Sequence, residues 1–166
     1  MNPGKNTEPC NAAPSTLAAE PQEYWQAWFD GSALPNPGRI GIGALLLAPD
    51  GTRFEKSELA GSGCNNEAEL CALCAVLELA DGVGATRLQV RGDSDVTIRY
   101  VLGPDRTGIV PLRELVTRAR TWMTRFEQVQ LVWIPRQRNG EADGLSRRAL
   151  GLPAKPVEAK IVRRRR

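Results

Sequence analysis

The sequence predicts an α/β fold in which helices pack on the faces of a five-stranded mixed sheet. The first part of the chain holds three extended apolar segments joined by turns, which is typical of an antiparallel meander. The second part alternates strands with amphipathic helices, and a meander followed by this alternation implies a mixed sheet. The 166 residues suffice for one domain with one core.

The meander comprises three predicted strands, which span residues 23–30, 39–48 and 52–60. The first is an apolar, aromatic run that ends on Asp30 and is followed by turn formers over residues 31–38. The second contains glycines that allow close approach of another backbone. Pro49-Asp50-Gly51 has hairpin chemistry, and residues 61–63 are expected to form a loop.

Four helices and two further strands follow. The helices are predicted over residues 64–82, 95–102, 111–126 and 139–149, and the strands over residues 86–91 and 128–134. In the first helix, apolar residues recur at i, i+3, i+4 and i+7 between Leu70 and Leu77. In the third, the apolar residues between Leu112 and Phe126 fall on one stripe. The predicted order of elements is therefore βββαβααβα.

The two ends of the chain differ in composition from the predicted domain, residues 23–150. Residues 1–22 are rich in small and polar residues and are expected to be disordered. Residues 151–166 form a basic tail, with six cations from Lys155 onward against Glu158 alone. Such a tail can bind nucleic acid or can be a solvated end, and its composition alone favours the second reading.

The composition excludes several classes of site. The chain has no histidine, which excludes His-dependent catalytic triads and zinc sites with a His ligand. Its four cysteines form no disulfide framework, and Cys71 and Cys74 are interpreted as small core residues of a helix. Without a signal-peptide core or a long apolar run, we expect a cytoplasmic monomer with no membrane partner.

Four carboxylates stand at matching structural positions. Asp30 and Asp93 end predicted strands, whereas Glu69 and Asp143 lie in the first turns of predicted helices. Strand ends and helix starts can converge on one edge of a sheet, where a cluster of like charges needs a cation such as Mg²⁺. Two such ions about 3.5–4 Å apart form the clamp used in phosphoryl displacement.

Each carboxylate also has a purely local explanation. Asp30 could open a turn, and Asp93 could cap the following helix. Glu69 has capping-box spacing with Asn66, and Asp143 lies near the positive end of a helix. Taken one at a time, the local explanation is favoured. The four together, in a chain without histidine, favour a metal site.

Four motifs occur in order along the chain. They are Asp30-Gly31-Ser32 with Asn36-Pro37-Gly38 and Gly41-Ile42-Gly43, then Asn65-Asn66-Glu67-Ala68-Glu69-Leu70, then Gly92-Asp93-Ser94, and finally Trp133-Ile134-Pro135-Arg136 with Asn139-Gly140-Glu141-Ala142-Asp143-Gly144-Leu145. Together they resemble the motifs of type 1 ribonuclease H, the ribonuclease HI family, over residues 24–150. The resemblance implies the ribonuclease H-like fold and an endonuclease that cuts the RNA strand of RNA–DNA hybrids with two Mg²⁺ or Mn²⁺ ions.

The resemblance also implies roles for individual residues. The catalytic, metal-binding carboxylates would be Asp30, Glu69, Asp93 and Asp143. The substrate-binding residues would be Gly31, Ser32, Asn36, Asn65, Asn66, Ser94, Arg136, Arg138 and Asn139. Among these, the three residues Asn36, Asn65 and Asn66 would belong to the groove that recognises RNA 2′-hydroxyls, the groups that distinguish RNA from DNA.

The chain departs from the family pattern in three places. Many members place a histidine in the loop before the last helix, whereas this loop is Pro135-Arg136-Gln137-Arg138, so Arg136 or Arg138 is expected to bind phosphate or to be solvated. The family's basic handle is absent, because only residues 103–108 join the two middle helices. Cys64 stands where the family often has a hydroxyl residue.

Two other functions are compatible with the same fold. One is a DNA nuclease of the resolvase or integrase kind, which the Asn65-Asn66 helix start disfavours. The other is a non-catalytic module that binds hybrids, which the presence of all four carboxylates disfavours. Of the four tryptophans, Trp133 is expected to be the exposed one.

Overall fold

A computed structural model describes residues 23–156 of the chain. The expectations for residues 1–22 and for most of the basic tail, residues 157–166, lie outside the described residues. The strands are β1 (Trp25–Leu34), β2 (Gly38–Leu47), β3 (Arg53–Gly63), β4 (Arg87–Gly92) and β5 (Gln128–Trp133). The helices are α1 (Asn65–Gly82), α2 (Asp95–Leu102), α3 (Val110–Met123) and α4 (Gly140–Ala149), with a short 3₁₀ helix at Arg136–Arg138. The predicted order βββαβααβα is confirmed.

The five strands form one mixed sheet in the order β3-β2-β1-β4-β5. The meander pairs antiparallel, β1 with β2 and β2 with β3. Strand β4 pairs parallel to β1 on one side and to β5 on the other. The predicted five-stranded mixed sheet is therefore confirmed, with β1 at its centre.

Helices cover both faces of the sheet at β1 and β2. A Cβ placed on Gly31 of β1 would meet Ala68 of α1, whereas one placed on Gly43 of β2 would meet Ala142 of α4. Gly43 pairs with Asp30, and the neighbouring residues Asp30 and Gly31 face opposite sides of the sheet because successive residues of a strand alternate between faces. Helices α1 and α4 thus pack on opposite faces.

Helix α1 lies at the centre of the core. The predicted apolar face is buried, but so are residues on both sides of it; the buried set is Ala68, Glu69, Leu70, Ala72, Leu73, Cys74, Ala75, Val76, Leu77 and Ala80. This wide burial follows from the position of α1 between the sheet and α3, both of which contact it. Cys74 is buried and Cys71 half-buried, which confirms their interpretation as core residues.

The meander is longer than the sequence indicates. The prediction that β1 ends at Asp30 is wrong, because residues 31–34 continue the strand and pair with residues 39–42 of β2. Residues 61–63, expected to be a loop, belong to β3, where Gly63 pairs with Gly38. Both segments contain turn formers, and long-range pairing with β2 overrides their local preference.

Two smaller expectations can also be compared with the structure. Helix α3 ends at Met123, three residues before the predicted end, although Phe126 is still buried. Trp133 is 51% exposed, which confirms the expectation that it is the exposed tryptophan, while Trp25 and Trp122 pack partly against the core.

Within residues 23–156, no helix has both the length and the apolar character needed to cross a membrane.

Candidate metal centre

Three carboxylates from separate elements meet at one edge of the sheet. Asp30 on β1, Glu69 on α1 and Asp93 after β4 each offer an oxygen, and these oxygens all lie within 4.8 Å of one another. Carboxylate oxygens are the ligands that hard divalent cations prefer. The convergence predicted for these three residues is therefore present.

The parallel pairing of β1 and β4 explains why Asp30 and Asp93 meet. The last paired residues are Trp28 on β1 and Arg91 on β4. Asp30 and Asp93 each lie two residues further along parallel strands, so they reach the same level of the sheet. At Asp30, strand β1 is thus still paired with β2 on one side but no longer paired with β4 on the other.

Gly31 brings Glu69 to the other two carboxylates. A Cβ on Gly31 would lie 2.0 Å from the carbonyl oxygen of Ala68, so only glycine lets α1 approach β1 this closely. The backbone of Gly31 also lies close enough to the Glu69 carboxylate to act against its raised pKa. Gly31, predicted to bind substrate, therefore has a structural task as well.

A different residue caps helix α1. The Oε2 atom of Glu67 accepts a hydrogen bond from the backbone N–H of Cys64 at 2.7 Å, as the third residue of a helix does in a capping box. The alternative in which Glu69 closes the helix start with Asn66 is therefore wrong. Glu69 lies instead among the carboxylates of the cluster.

Burial makes the charged forms of the cluster unfavourable. Asp30 is 5% exposed, and burial, supported by the charges of Asp93 and Asp143, raises its pKa from 3.8 to about 6 against the opposing hydrogen bond from Ser146. Glu69 is 9% exposed, and burial together with the charges of Asp30 and Asp93 raises its pKa well above the ordinary value.

One oxygen of the cluster lacks a donor. Glu69 Oε2 is buried and has no hydrogen-bond partner within residues 23–156. A buried carboxylate oxygen without a partner is costly, and a divalent cation held between the three carboxylates would supply the missing interaction. The residues present therefore fit a hard cation.

Two residues on the α4 side fix the cluster. Asn139 is 1% exposed, and its Nδ2 group donates to the carbonyl oxygen of Phe29 at 2.9 Å and to Asp93 Oδ2 at 3.0 Å. The buried hydroxyl of Ser146 donates to the Asp30 carboxylate. Asn139 was predicted as a substrate-binding residue, and the structure makes it a link between β1 and Asp93.

Ser146 is a site residue that no predicted motif contains. It lies on the side of α4 that also carries Ala142, Leu145 and Ala149, where a hydroxyl among apolar neighbours was the available signal. Ser146 is fully buried, whereas Ala149 is only half-buried. Gly43 permits this packing, because a Cβ there would lie 2.3 Å from the carbonyl oxygen of Ala142.

Asp143 lies at the margin of the cluster. It is not one of the three residues whose oxygens meet, although its charge is close enough to raise the pKa of Asp30. Its Oδ1 atom instead forms an ion pair with Lys155 Nζ at 2.8 Å. Metal binding by Asp143 stays a prediction.

Other predicted substrate residues tie the β1–β2 turn to α1. Asn36 Oδ1 accepts from the backbone N–H of Asn65 at 3.1 Å, and Asn65 Oδ1 accepts from the backbone N–H of Ala33 at 2.9 Å. Asn66 is exposed beside them, and Ser32 is half-buried on β1. These side chains lie together at the start of α1.

Ser94 has a local role. Its Oγ atom accepts a hydrogen bond from the backbone N–H of Thr97 at 3.2 Å and caps helix α2. This bond accounts for Ser94 without a ligand, so the substrate contact predicted for it rests on the resemblance alone.

A cleft of about 1010 Å³ adjoins the cluster. Its lining includes Trp28, the loop and start of α4 over residues 136–144, and residues 154–156. The three cations on its wall are Arg136, Arg138 and Lys155. Arg136 and Arg138 are exposed, and the charge of Arg136 acts against the raised pKa of Glu69. Two carboxylates, Glu141 and Asp143, also line the cleft, so its three cations exceed its anions by one, which suits an anionic ligand.

Comparison with known proteins places this arrangement among ribonucleases H. Residues 28–149 match a family profile described as "Reverse transcriptase-like". Ribonuclease HI of Halobacterium salinarum is 36% identical over 125 residues, which cover 75% of this chain but only 63% of that protein. The chain thus spans less than two thirds of the length of this relative.

Solved structures show the same fold. The crystal structure of RNase H1 from H. salinarum has a TM-score of 0.74 and 35% identity, covering 78% of this chain and 98% of that one. LC11-RNase H1, solved in complex with an RNA/DNA hybrid, has a TM-score of 0.70 and 28% identity, covering 76% of this chain and 96% of that one.

Proposed function

The chain belongs to the type 1 ribonuclease H family, and we propose that it is a metal-dependent endonuclease that hydrolyses the RNA strand of RNA–DNA hybrids. The observation that carries the proposal is the meeting of Asp30, Glu69 and Asp93 within 4.8 Å, with Glu69 Oε2 lacking a donor among the described residues. Binding of a hybrid alone does not require a buried cluster of like charges.

The proposed cofactor is a pair of Mg²⁺ or Mn²⁺ ions. Asp30, Glu69 and Asp93 would hold the first, and Asp143 would take part in holding the second. Bound ions of this kind supply Lewis acidity, which generates hydroxide from water and stabilises the leaving 3′-oxygen. In this arrangement, Asn139 keeps Asp93 in place and Ser146 does the same for Asp30.

The proposed substrate is recognised on both sides of the cluster. The side chains of Asn36, Asn65 and Asn66 lie at the start of α1, where they would contact RNA 2′-hydroxyls. Arg136 and Arg138 would contact phosphate from the cleft wall. The hybrid bound to LC11-RNase H1 supports this class of substrate.

A cleavage assay tests the proposal. Labelled RNA–DNA hybrid, double-stranded RNA and double-stranded DNA are each incubated with Mg²⁺, Mn²⁺ or chelator. We expect cleavage of the RNA strand of the hybrid only, no cleavage in chelator, and a loss of at least about a hundredfold in Asp30→Asn. Asp50→Asn removes the same charge from an exposed turn and should cleave normally.

The other outcomes identify the alternatives. Cleavage that persists in chelator would contradict the metal-dependent mechanism. Duplex DNA cut as readily as the hybrid would indicate a DNA nuclease. Tight hybrid binding without cleavage under either ion would indicate a non-catalytic module.

A further inference from the structure

We propose that Lys155 controls metal binding by Asp143. Its ammonium group competes with a divalent ion for the Asp143 carboxylate, so that Asp143 binds metal only when Lys155 leaves it. The inference rests on the proposed function, because it takes Asp143 as a metal ligand. It concerns residues 151–156, which follow the last helix and which we call the return segment.

The contact is a close ion pair on a mostly shielded carboxylate. Lys155 Nζ lies 2.8 Å from Asp143 Oδ1, and the side chain of Asp143 is only 14% exposed while that of Lys155 is 49% exposed. The ammonium group therefore occupies the coordination space of one Asp143 oxygen. Because about half of the Lys155 side chain is exposed, its ammonium group can move away from Asp143 into solvent.

Hydrogen bonds to the end of α4 hold the return segment in place. The backbone N–H of Leu152 donates to the carbonyl oxygen of Arg147 at 2.9 Å. Arg147 Nε in turn donates to the carbonyl oxygen of Pro153 at 2.9 Å. These two bonds turn the chain back along α4, so that Ala154, Lys155 and Pro156 form one wall of the cleft.

The charge of Lys155 also extends to the main cluster. It acts on Asp30 in the direction opposite to burial, as a cation does when it stabilises a nearby carboxylate. Within residues 23–156, Lys155 is thus a built-in positive charge at the side of the cluster where Asp143 lies. A lysine ammonium and a divalent ion cannot occupy the same carboxylate oxygen, and their charges repel each other.

The size of the effect follows from the exposure of the pair. Exposed ion pairs contribute about 0.2–1 kcal/mol, which corresponds to about a 1.4- to fivefold change in an equilibrium constant. Removing the lysine charge should therefore tighten the binding of a second divalent ion by about 1.4- to fivefold.

Calorimetric titration with Mn²⁺ in the absence of nucleic acid tests the inference on the full chain. Lys155→Met keeps most of the side-chain length and removes the charge, so we expect tighter Mn²⁺ binding at the weaker site. Lys56→Met is the matched control, because Lys56 is a partly exposed lysine paired with Glu58 and Glu78 on another part of the surface. It should leave Mn²⁺ affinity unchanged.

The variant Asp143→Asn shows whether the effect of Lys155→Met on Mn²⁺ binding depends on Asp143. In Asp143→Asn, the further change Lys155→Met should no longer tighten binding. Equal tightening by Lys56→Met, unchanged or weaker binding in Lys155→Met, or a gain that survives in Asp143→Asn would each overturn the inference. If Asp30→Asn abolishes Mn²⁺ binding while Lys155→Met changes nothing, only the inference fails. If the unaltered chain binds no Mn²⁺ at all, the proposed function fails with it.

Discussion

Replacing Asp30 with Asn should stabilise the metal-free protein at neutral pH. Burial raises the pKa of Asp30 from 3.8 to about 6, so above pH 6 the folded protein holds a charge that burial disfavours. The difference of 2.2 pKa units corresponds to about 3 kcal/mol. Asn has the size of Asp, carries no charge and keeps an oxygen that can accept the hydrogen bond from Ser146.

The pH dependence has a defined sign. Because the pKa is higher in the folded state, the folded protein binds the proton more tightly than the unfolded chain between about pH 4 and 6. The contribution of Asp30 to stability is fully present below about pH 4 and is lost as the pH rises to about 6. The advantage of Asp30→Asn should therefore be only about 0.5 kcal/mol at pH 4 and reach about 3 kcal/mol at pH 7.

Urea unfolding in chelator measures this difference. Free energies of unfolding are compared between the unaltered chain, Asp30→Asn and Asp50→Asn from pH 4 to pH 8. Adding Mg²⁺ should then stabilise the unaltered chain more than Asp30→Asn, because a ligand that binds only the folded state stabilises it. An Asp30→Asn variant less stable than the unaltered chain at pH 7, or an advantage that does not vary with pH, would refute the reasoning.

Two further changes test the framework of the cluster by urea unfolding. Gly31→Ala should lower the free energy of unfolding by about 1–3 kcal/mol or more, because the added Cβ would lie 2.0 Å from the backbone of α1. Gly144→Ala is the control: it adds a Cβ at a helical position with open space, and it should raise the free energy of unfolding by about 0.5–1 kcal/mol. Asn139→Ala should cost about 1–3 kcal/mol, because it removes both hydrogen bonds of a buried amide, one to Phe29 and one to Asp93. Exposed Gln137→Ala should change stability by no more than about 0.5 kcal/mol, and equal costs for the two variants would contradict the structure.

Local signals were sufficient for the helices and for the order of elements. Helix α2 was predicted over 95–102 and spans Asp95–Leu102, because Ser94 caps its start and Gly103 stops it. The apolar stripe of α3 is likewise buried or half-buried from Leu112 to Phe126. In these segments local preference and tertiary packing favour the same structure, so the sequence alone is informative.

The errors arise where distant residues decide the structure. Residues 31–34 and 61–63 have turn chemistry, and only their pairing with β2 makes them strand. A hydroxyl on an apolar helix face marks Ser146, but no local signal identifies Asp30 as its partner, and none identifies Asp143 as the partner of Lys155. The first contact requires the packing of α4 on β2, and the second requires the return segment to fold back.

The framework of the site explains how three carboxylates can be held together in a poorly solvated position. Two of them are fixed by hydrogen bonds from the α4 side of the fold: Asp93 accepts from the amide of Asn139, and Asp30 accepts from the hydroxyl of Ser146. Glu69 is brought to them by the close packing of α1 on Gly31, and its Oε2 atom has no hydrogen-bond partner within residues 23–156. A framework that oriented the carboxylates and also satisfied every oxygen would leave nothing for a cation to coordinate. The fold therefore accepts a loss of stability at this edge of the sheet, and binding of a divalent ion would reverse that loss.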